Sequence, residues 1–174
     1  TVHGGGSLIA KGTVLGSFTY NVLTTIDNTA LPQTAPGVFN PAVWNLMSSP
    51  VVGETYNNDW ILDNFIGTGT AANRAIALYN NNVVSGNWSY FQGGGTPDPD
   101  GSFTSGIGFS TRKKTVDYQS NNEEIYNFTG TFPDTDVTLS ITQGTGSNWN
   151  LVGNPYPSYI AAADIVTNNN ASLT

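Results

Sequence analysis

The sequence predicts an all-β protein, an antiparallel β-sandwich of jelly-roll-like build with one or two short helices. Two observations carry this. Thr (22), Asn (21), Gly (20) and Ser (14) make up 77 of the 174 residues, while Asp, Glu, Lys and Arg together make up 10%. Such a chain is poor in good helix formers and rich in residues that favour strands and tight turns. Short runs of β-branched and aromatic residues, bounded by Gly, Asn, Asp and Pro, also recur at spacings too close for intervening helices. The length suits one domain able to bury a core without staples, so residues 1–174 are read as a single module.

In chain order, strands are expected at Ser7–Lys11, Gly16–Thr24, Trp44–Ser48, Arg74–Tyr79, Trp88–Phe91, Gly106–Arg112, Ile125–Thr131, Val137–Thr142 and Asn148–Val152. The alternation suits strands with one wet side: Val137, Leu139 and Ile141 fall on one face, Thr138, Ser140 and Thr142 on the other. Two stretches suit short helices. Asn58–Phe65 carries Trp60, Ile61 and Phe65 near helical spacing, and Ser158–Thr167 could be capped by Ser158 ahead of Ile160, Ala161 and Ile165. Loops fall at Asp27–Asn40, at Gly93–Gly101 and at Ser120–Glu124.

One internal echo stands out. Trp44-Asn45-Leu46 and Trp149-Asn150-Leu151 are each followed, six residues after the Trp, by a proline, Pro50 or Pro155. Each copy reads as a strand whose Trp and Leu share a face, Trp44 and Trp149 being read as core, and whose Pro turns the chain out of the sheet. The first copy is followed by several further strands and the second by only 19 residues, which leads to the expectation that the module lacks its C-terminal closing strands.

Around the second copy the chain resembles a known family. Trp149-Asn150-Leu151-Val152-Gly153-Asn154-Pro155-Tyr156-Pro157-Ser158 is similar to the β-rich repeat region of Bacteroidetes, especially flavobacterial, surface and secreted proteins exported by the type IX secretion system. The resemblance extends to Ser7-Leu8-Ile9, Gly16-Ser17-Phe18-Thr19-Tyr20, Trp44 to Pro50, Gly101 to Ser110 and Phe128-Thr129-Gly130-Thr131, in that order. It implies an extracellular or cell-surface location, an adhesive or structural role, and no catalytic residues to carry over.

Composition excludes much chemistry by itself. With no Cys and only His3 there is no thiolate nucleophile, no Cys-rich zinc site and no His-paired catalytic centre. A net charge of −7 is the wrong sign for a nucleic-acid partner, and no apolar run approaches the ~20 residues that span a bilayer. The carboxylate pairs Asp59/Asp63, Asp98/Asp100, Glu123/Glu124 and Asp134/Asp136 lie mostly in turn-like stretches, where they are solvated rather than aimed across a scissile bond. The chain is therefore expected not to be an enzyme. Asp98 and Asp100 in Thr96-Pro97-Asp98-Pro99-Asp100-Gly101-Ser102 offer part of a calcium loop without its bidentate acid, so no cofactor is expected beyond a structural calcium there.

Aromatic residues are the remaining handle. Trp88 and Tyr90 alternate along one strand and share a face, with Phe91 opposite, and Tyr56 and Trp60 flank the Asn57-Asn58-Asp59 turn. Flat rings on an open sheet face stack on the apolar faces of sugars, with neighbouring amides taking the hydroxyls. Trp88, Tyr90, Tyr56 and Trp60 are thus the candidate ligand-binding residues. Arg112-Lys113-Lys114 is read as blunting a strand end against edge pairing, or as meeting an acidic glycan. Three roles follow: an adhesive or structural module that meets a glycan or surface protein, a carbohydrate-binding module of a polysaccharide-degrading enzyme, or an incomplete sandwich that exchanges a strand with another chain.

Overall fold

The computed structural model describes residues 7–10, 12–24, 44–69, 72–93, 101–113 and 125–169. They form an all-β sandwich of two antiparallel sheets with two short helices: β1 (Ser17–Leu23), β2 (Asn45–Met47), α1 (Asn58–Asp63), β3 (Asn73–Tyr79), β4 (Trp88–Gln92), β5 (Phe109–Thr111), β6 (Ile125–Thr131) and α2 (Ala162–Asn169). One sheet is the ribbon β1–β6 and the other has the order β2-β5-β3-β4. A jelly roll has eight strands in two sheets; among the described residues the sheets hold two and four.

Period-two alternation builds the core between them. The pairs Tyr20↔Phe128 and Val22↔Tyr126 send these four side chains, with Phe18, to one face of the ribbon. Ile76 and Leu78 of β3, Phe91 of β4 and Phe109 of β5 answer from the four-stranded sheet. Between the sheets lies Phe103, its ring centroid 4.7–5.6 Å from those of Phe109, Trp60, Tyr56 and Phe128. Phe103 belongs to no strand. It is held by backbone bonds from its own N–H to the Glu54 carbonyl and from the Tyr56 N–H to the Gly101 carbonyl.

The first expected helix forms where Asn57 caps it, its side-chain oxygen accepting the Trp60 N–H at 2.9 Å. It ends after one and a half turns, with Phe65 in the left-handed region at φ 54°. The helix sits on the outer edge of β6, and among the described residues that edge is closed without a neighbouring strand. Lys113 Nζ donates to the Ile125 carbonyl, Trp60 Nε1 donates to the Asn127 carbonyl at 2.9 Å, and the Asn127 N–H donates to Asn64 Oδ1 at 2.6 Å. The Thr129 N–H goes to Glu54 Oε2, and Thr131 exchanges both backbone bonds with Val52. Within the basic cluster, Lys113 thus does what blunting requires, and Lys114 lies outside the described residues.

Several expected elements differ. Val137–Thr142 and Asn148–Val152 form no ladder, because an amide side chain takes the place of a neighbouring backbone: Asn150 accepts the Thr142 N–H through Oδ1 (3.3 Å) and donates Nδ2 to the Thr142 carbonyl (3.0 Å). Part of the alternation survives, with Val137 and Leu139 packed on Gly106 while Thr138 and Ser140 face solvent. Of Ser7–Lys11, the described residues join no strand, and the Leu8 N–H instead meets the Pro157 carbonyl at 2.7 Å. The second helix starts at Ala162, four residues beyond the expected Ser158 cap, with its first bond accepted by the Ala161 carbonyl. It buries no residue.

The Trp-Asn-Leu echo is spatial as well as sequential. The first copy pairs with β5 through Asn45↔Thr111, Leu46↔Ser110 and Met47↔Phe109. The second meets the residues just before β5: Gly108 N–H donates to Leu151, Gly153 N–H donates to Gly106, and Val152 bridges Ile107. Ser48 Oγ ties the copies together by donating to the Asn154 carbonyl at 2.6 Å. Both copies therefore read one stretch of chain, residues 106–111, in the same antiparallel sense.

Candidate binding face on the four-stranded sheet

The face of this sheet turned away from the core is built from an alternation of small residues. Register aligns Leu46 of β2, Ser110 of β5, Ala77 of β3 and Tyr90 of β4 in one row. One row to either side lie Trp44, Arg112 and Ala75, and then Gly108, Tyr79 and Trp88. The two central strands thus contribute Ala, Ser and Gly to this face while sending Ile76, Leu78 and Phe109 to the core. Large side chains stand on the flanking strands and, on the central two, only at the ends, as Tyr79 closing β3 and Arg112 just past β5.

Strands about 4.8 Å apart place β2 and β4 roughly 14 Å from each other. Trp44 and Tyr90 nevertheless meet, with ring centroids 6.1 Å apart and planes at 62°. They span the central strands because nothing larger than Ala77 and Ser110 lies beneath, and those two are 2% and 6% exposed. Trp44 and Tyr90 are 40% and 41% exposed. Arg112 lies against the pair, its guanidinium carbon 5.4 Å from the Trp44 ring centre. Burial lowers the Arg112 pKa and the nearby Tyr90 opposes that shift; an arginine so placed stays charged at neutral pH. A second edge-on pair, Tyr79 with Trp88 at 5.3 Å, extends the aromatic surface along the same face. Leu151 closes one end, packed so near Gly108 that a Cβ there would stand 2.5 Å from Leu151 Cγ.

The sequence-predicted residues divide between this face and the core. Trp88 and Tyr90 lie together on the face with Phe91 opposite, as the alternation requires. Trp60 does not join them: it is 6% exposed, packed on Phe103 and Phe128, and offers no ring face to a ligand. A helical position aimed at the ribbon, rather than a turn position aimed at solvent, accounts for this. Tyr56 is half-buried between Phe91 and Phe103, and its burial pushes the phenol pKa up. It also lines an apolar pocket of about 200 Å³ with Ile76, Leu78, Phe91, Phe103 and Phe109, which Ser89 and Tyr90 of β4 border as well. Asp98 and Asp100 lie outside the described residues, among which no group of three His, Cys, Asp or Glu side chains is disposed to hold a metal.

Trp44 and Trp149, read from the sequence as core, are both surface residues. Trp149 is 79% exposed, since its segment forms no strand that would turn the ring inward. Trp44 sits just before β2, where its ring leans over small neighbours instead of into the sandwich. Trp44 and Tyr79 are members of the face that sequence reasoning missed, and Arg112, read from the sequence as blunting a strand end or meeting an acidic glycan, lies against Trp44. A signal was present in Ala77, Gly108 and Ser110: small residues at neighbouring same-face positions of two central strands mark a surface that larger neighbours can cover.

Asp59, Asp63, Asp134 and Asp136 are all solvent-exposed, and Glu123 and Glu124 lie outside the described residues. Among the described residues no helix is long and apolar enough to cross a membrane. No family model, curated protein or solved structure matches this chain.

Proposed function

We propose that this chain is a non-enzymatic, extracellular binding module that takes a carbohydrate on the outer face of its four-stranded sheet, in an adhesive or structural setting. The observation that carries the reading is the Trp44–Tyr90 contact, two rings from flanking strands held at 6.1 Å over a floor of Ala77 and Ser110 and still open to solvent. An apolar surface made of rings, with a guanidinium at its rim, suits a pyranose: the rings take the C–H face and Arg112 donates to hydroxyl oxygens. The ring positions are preset by the strands, so little conformational entropy is lost on binding. The resemblance to exported surface proteins and the low Lys and Glu content agree with this setting. Calcium at Asp98 and Asp100 is not required by it.

The test is calorimetric titration against a panel of soluble neutral and acidic polysaccharides. Trp44→Ala and Tyr90→Ala are each expected to weaken binding roughly tenfold or more, as truncation of a central aromatic anchor does. Trp149→Ala removes a still more exposed Trp from another segment and leaves affinity unchanged. Binding indifferent to Trp44 and Tyr90, or absent across the panel, would overturn the reading.

A further inference from the structure

The ribbon β1–β6 has two edges, and the fold treats them differently. On β6 the N–H groups of Asn127, Thr129 and Thr131 leave the ribbon for Asn64, Glu54 and Val52. Their register partners Asn21, Thr19 and Ser17, and Leu23 opposite Ile125, therefore turn their own backbone groups away from β6. Among the described residues, the backbone groups of Ser17, Thr19, Asn21 and Leu23 meet no hydrogen-bond partner along that outer edge. Proteins blunt such edges with charge, proline or a bulge. The β1 sequence Ser-Phe-Thr-Tyr-Asn-Val-Leu contains none of these devices, and its pairing with β6 runs through seven residues without a register shift.

We propose that this edge pairs antiparallel with β1 of a second copy of the chain, joining two ribbons into one four-stranded sheet. An antiparallel edge is complementary to itself under a two-fold axis, so one surface supplies both partners. Hydrogen-bonded pairs must be drawn from the outward-facing residues, and full overlap sets Ser17 opposite Leu23 and Thr19 opposite Asn21, with the axis beside Tyr20. The uncharged strand places no like charges across the junction. One further feature fits this register. Phe18 and Val22 are half-buried in one copy; set opposite each other across the axis, they cover one another's exposed flank. The ribbon then matches the four strands of the sheet it faces.

Native mass spectrometry and sedimentation over a concentration series, with amide hydrogen exchange, test this. The expected result is a species of twice 18.4 kDa, with the Thr19, Asn21 and Leu23 amides protected at high concentration and released on dilution. Phe128, bonded within the ribbon, stays protected throughout. Thr19→Pro removes one outward N–H and the hydroxyl contact with Thr129 but no backbone bond between β1 and β6, and is expected to raise the dissociation constant at least tenfold. Thr19→Lys, which keeps the N–H and adds charge at the junction, should weaken pairing in the same direction and guards against a folding defect in the proline variant. A chain that stays at 18.4 kDa overturns the proposal, whether its β1 amides exchange freely or are protected by other parts of the same chain. So does a dimer that neither variant weakens. Glycan binding is read separately, so its failure leaves this result standing.

Discussion

Asn64 shows how much one side chain can do at a strand edge. It is buried, accepts the Asn127 N–H through Oδ1 and donates Nδ2 to the carbonyls of Trp60 (3.0 Å) and Asn127 (3.4 Å). Asn64→Ala strands a buried N–H and is expected to cost about 2–3 kcal/mol in urea unfolding. Asn64→Asp keeps the acceptor but aims an oxygen at two carbonyls, so its cost should grow with pH as the carboxyl ionises. Glu54, two places along the same edge, is governed by a contest of effects. Burial raises its pKa, while bonds from the Thr129 and Thr55 N–H groups pull it down, and burial wins. The folded state therefore holds this proton more tightly than the unfolded chain, and stability contributed here falls as pH rises from the ordinary glutamate range through the raised value. Glu54→Gln removes the titration and one acceptor. The wild type's advantage over this variant in melting temperature should be largest at acid pH and shrink toward neutrality; an advantage that grows with pH would contradict the assignment.

At the scale of elements, period and capping located the ladders and α1, because each depends on residues close in sequence. Asn57 caps Trp60 three residues on, and the Ile76/Leu78 and Tyr126/Phe128 alternations are local facts. What could not be read locally was which competitor a strand-like segment would meet. Val137–Thr142 has strand alternation, yet Asn150 satisfies Thr142 with a side chain and no ladder follows. The outer face was legible only in part for a related reason: Trp88 and Tyr90 announce it from one strand, but Trp44 reaches it from another strand across two neighbours. The floor beneath those rings is the element on which the binding face depends. Ala77→Leu should lift Trp44 off Tyr90, cost about 1–3 kcal/mol through overpacking, and weaken glycan binding with the ribbon intact. Near-ultraviolet circular dichroism would follow the ring pair, and unchanged ellipticity with unchanged affinity would show that the floor is not what brings the rings together.

For the molecule as a whole, net charge decides which carbohydrates the proposed face would admit. Five cationic residues stand against twelve anionic ones, a net −7, and of the cations Lys113 is directed to the edge of β6 while Arg112 lies at the aromatic face. A single guanidinium acts over a few ångströms; the surplus negative charge acts over the Debye length, about 10 Å at 0.1 M salt and longer when salt is dilute. A neutral polysaccharide feels neither strongly, so its affinity should hardly change between about 20 and 300 mM salt. A uronic-acid polymer feels repulsion from the whole domain before any carboxylate reaches Arg112, so whatever affinity it has should rise as salt screens that field. Arg112→Ala would then weaken the neutral ligand by loss of a hydrogen-bond donor and leave the salt trend of the acidic one in place. An acidic ligand whose binding instead falls steeply with salt, and is lost in Arg112→Ala, would mean that local attraction outweighs net charge. The natural ligand would then be an anionic glycan, held by Arg112 first and the rings second.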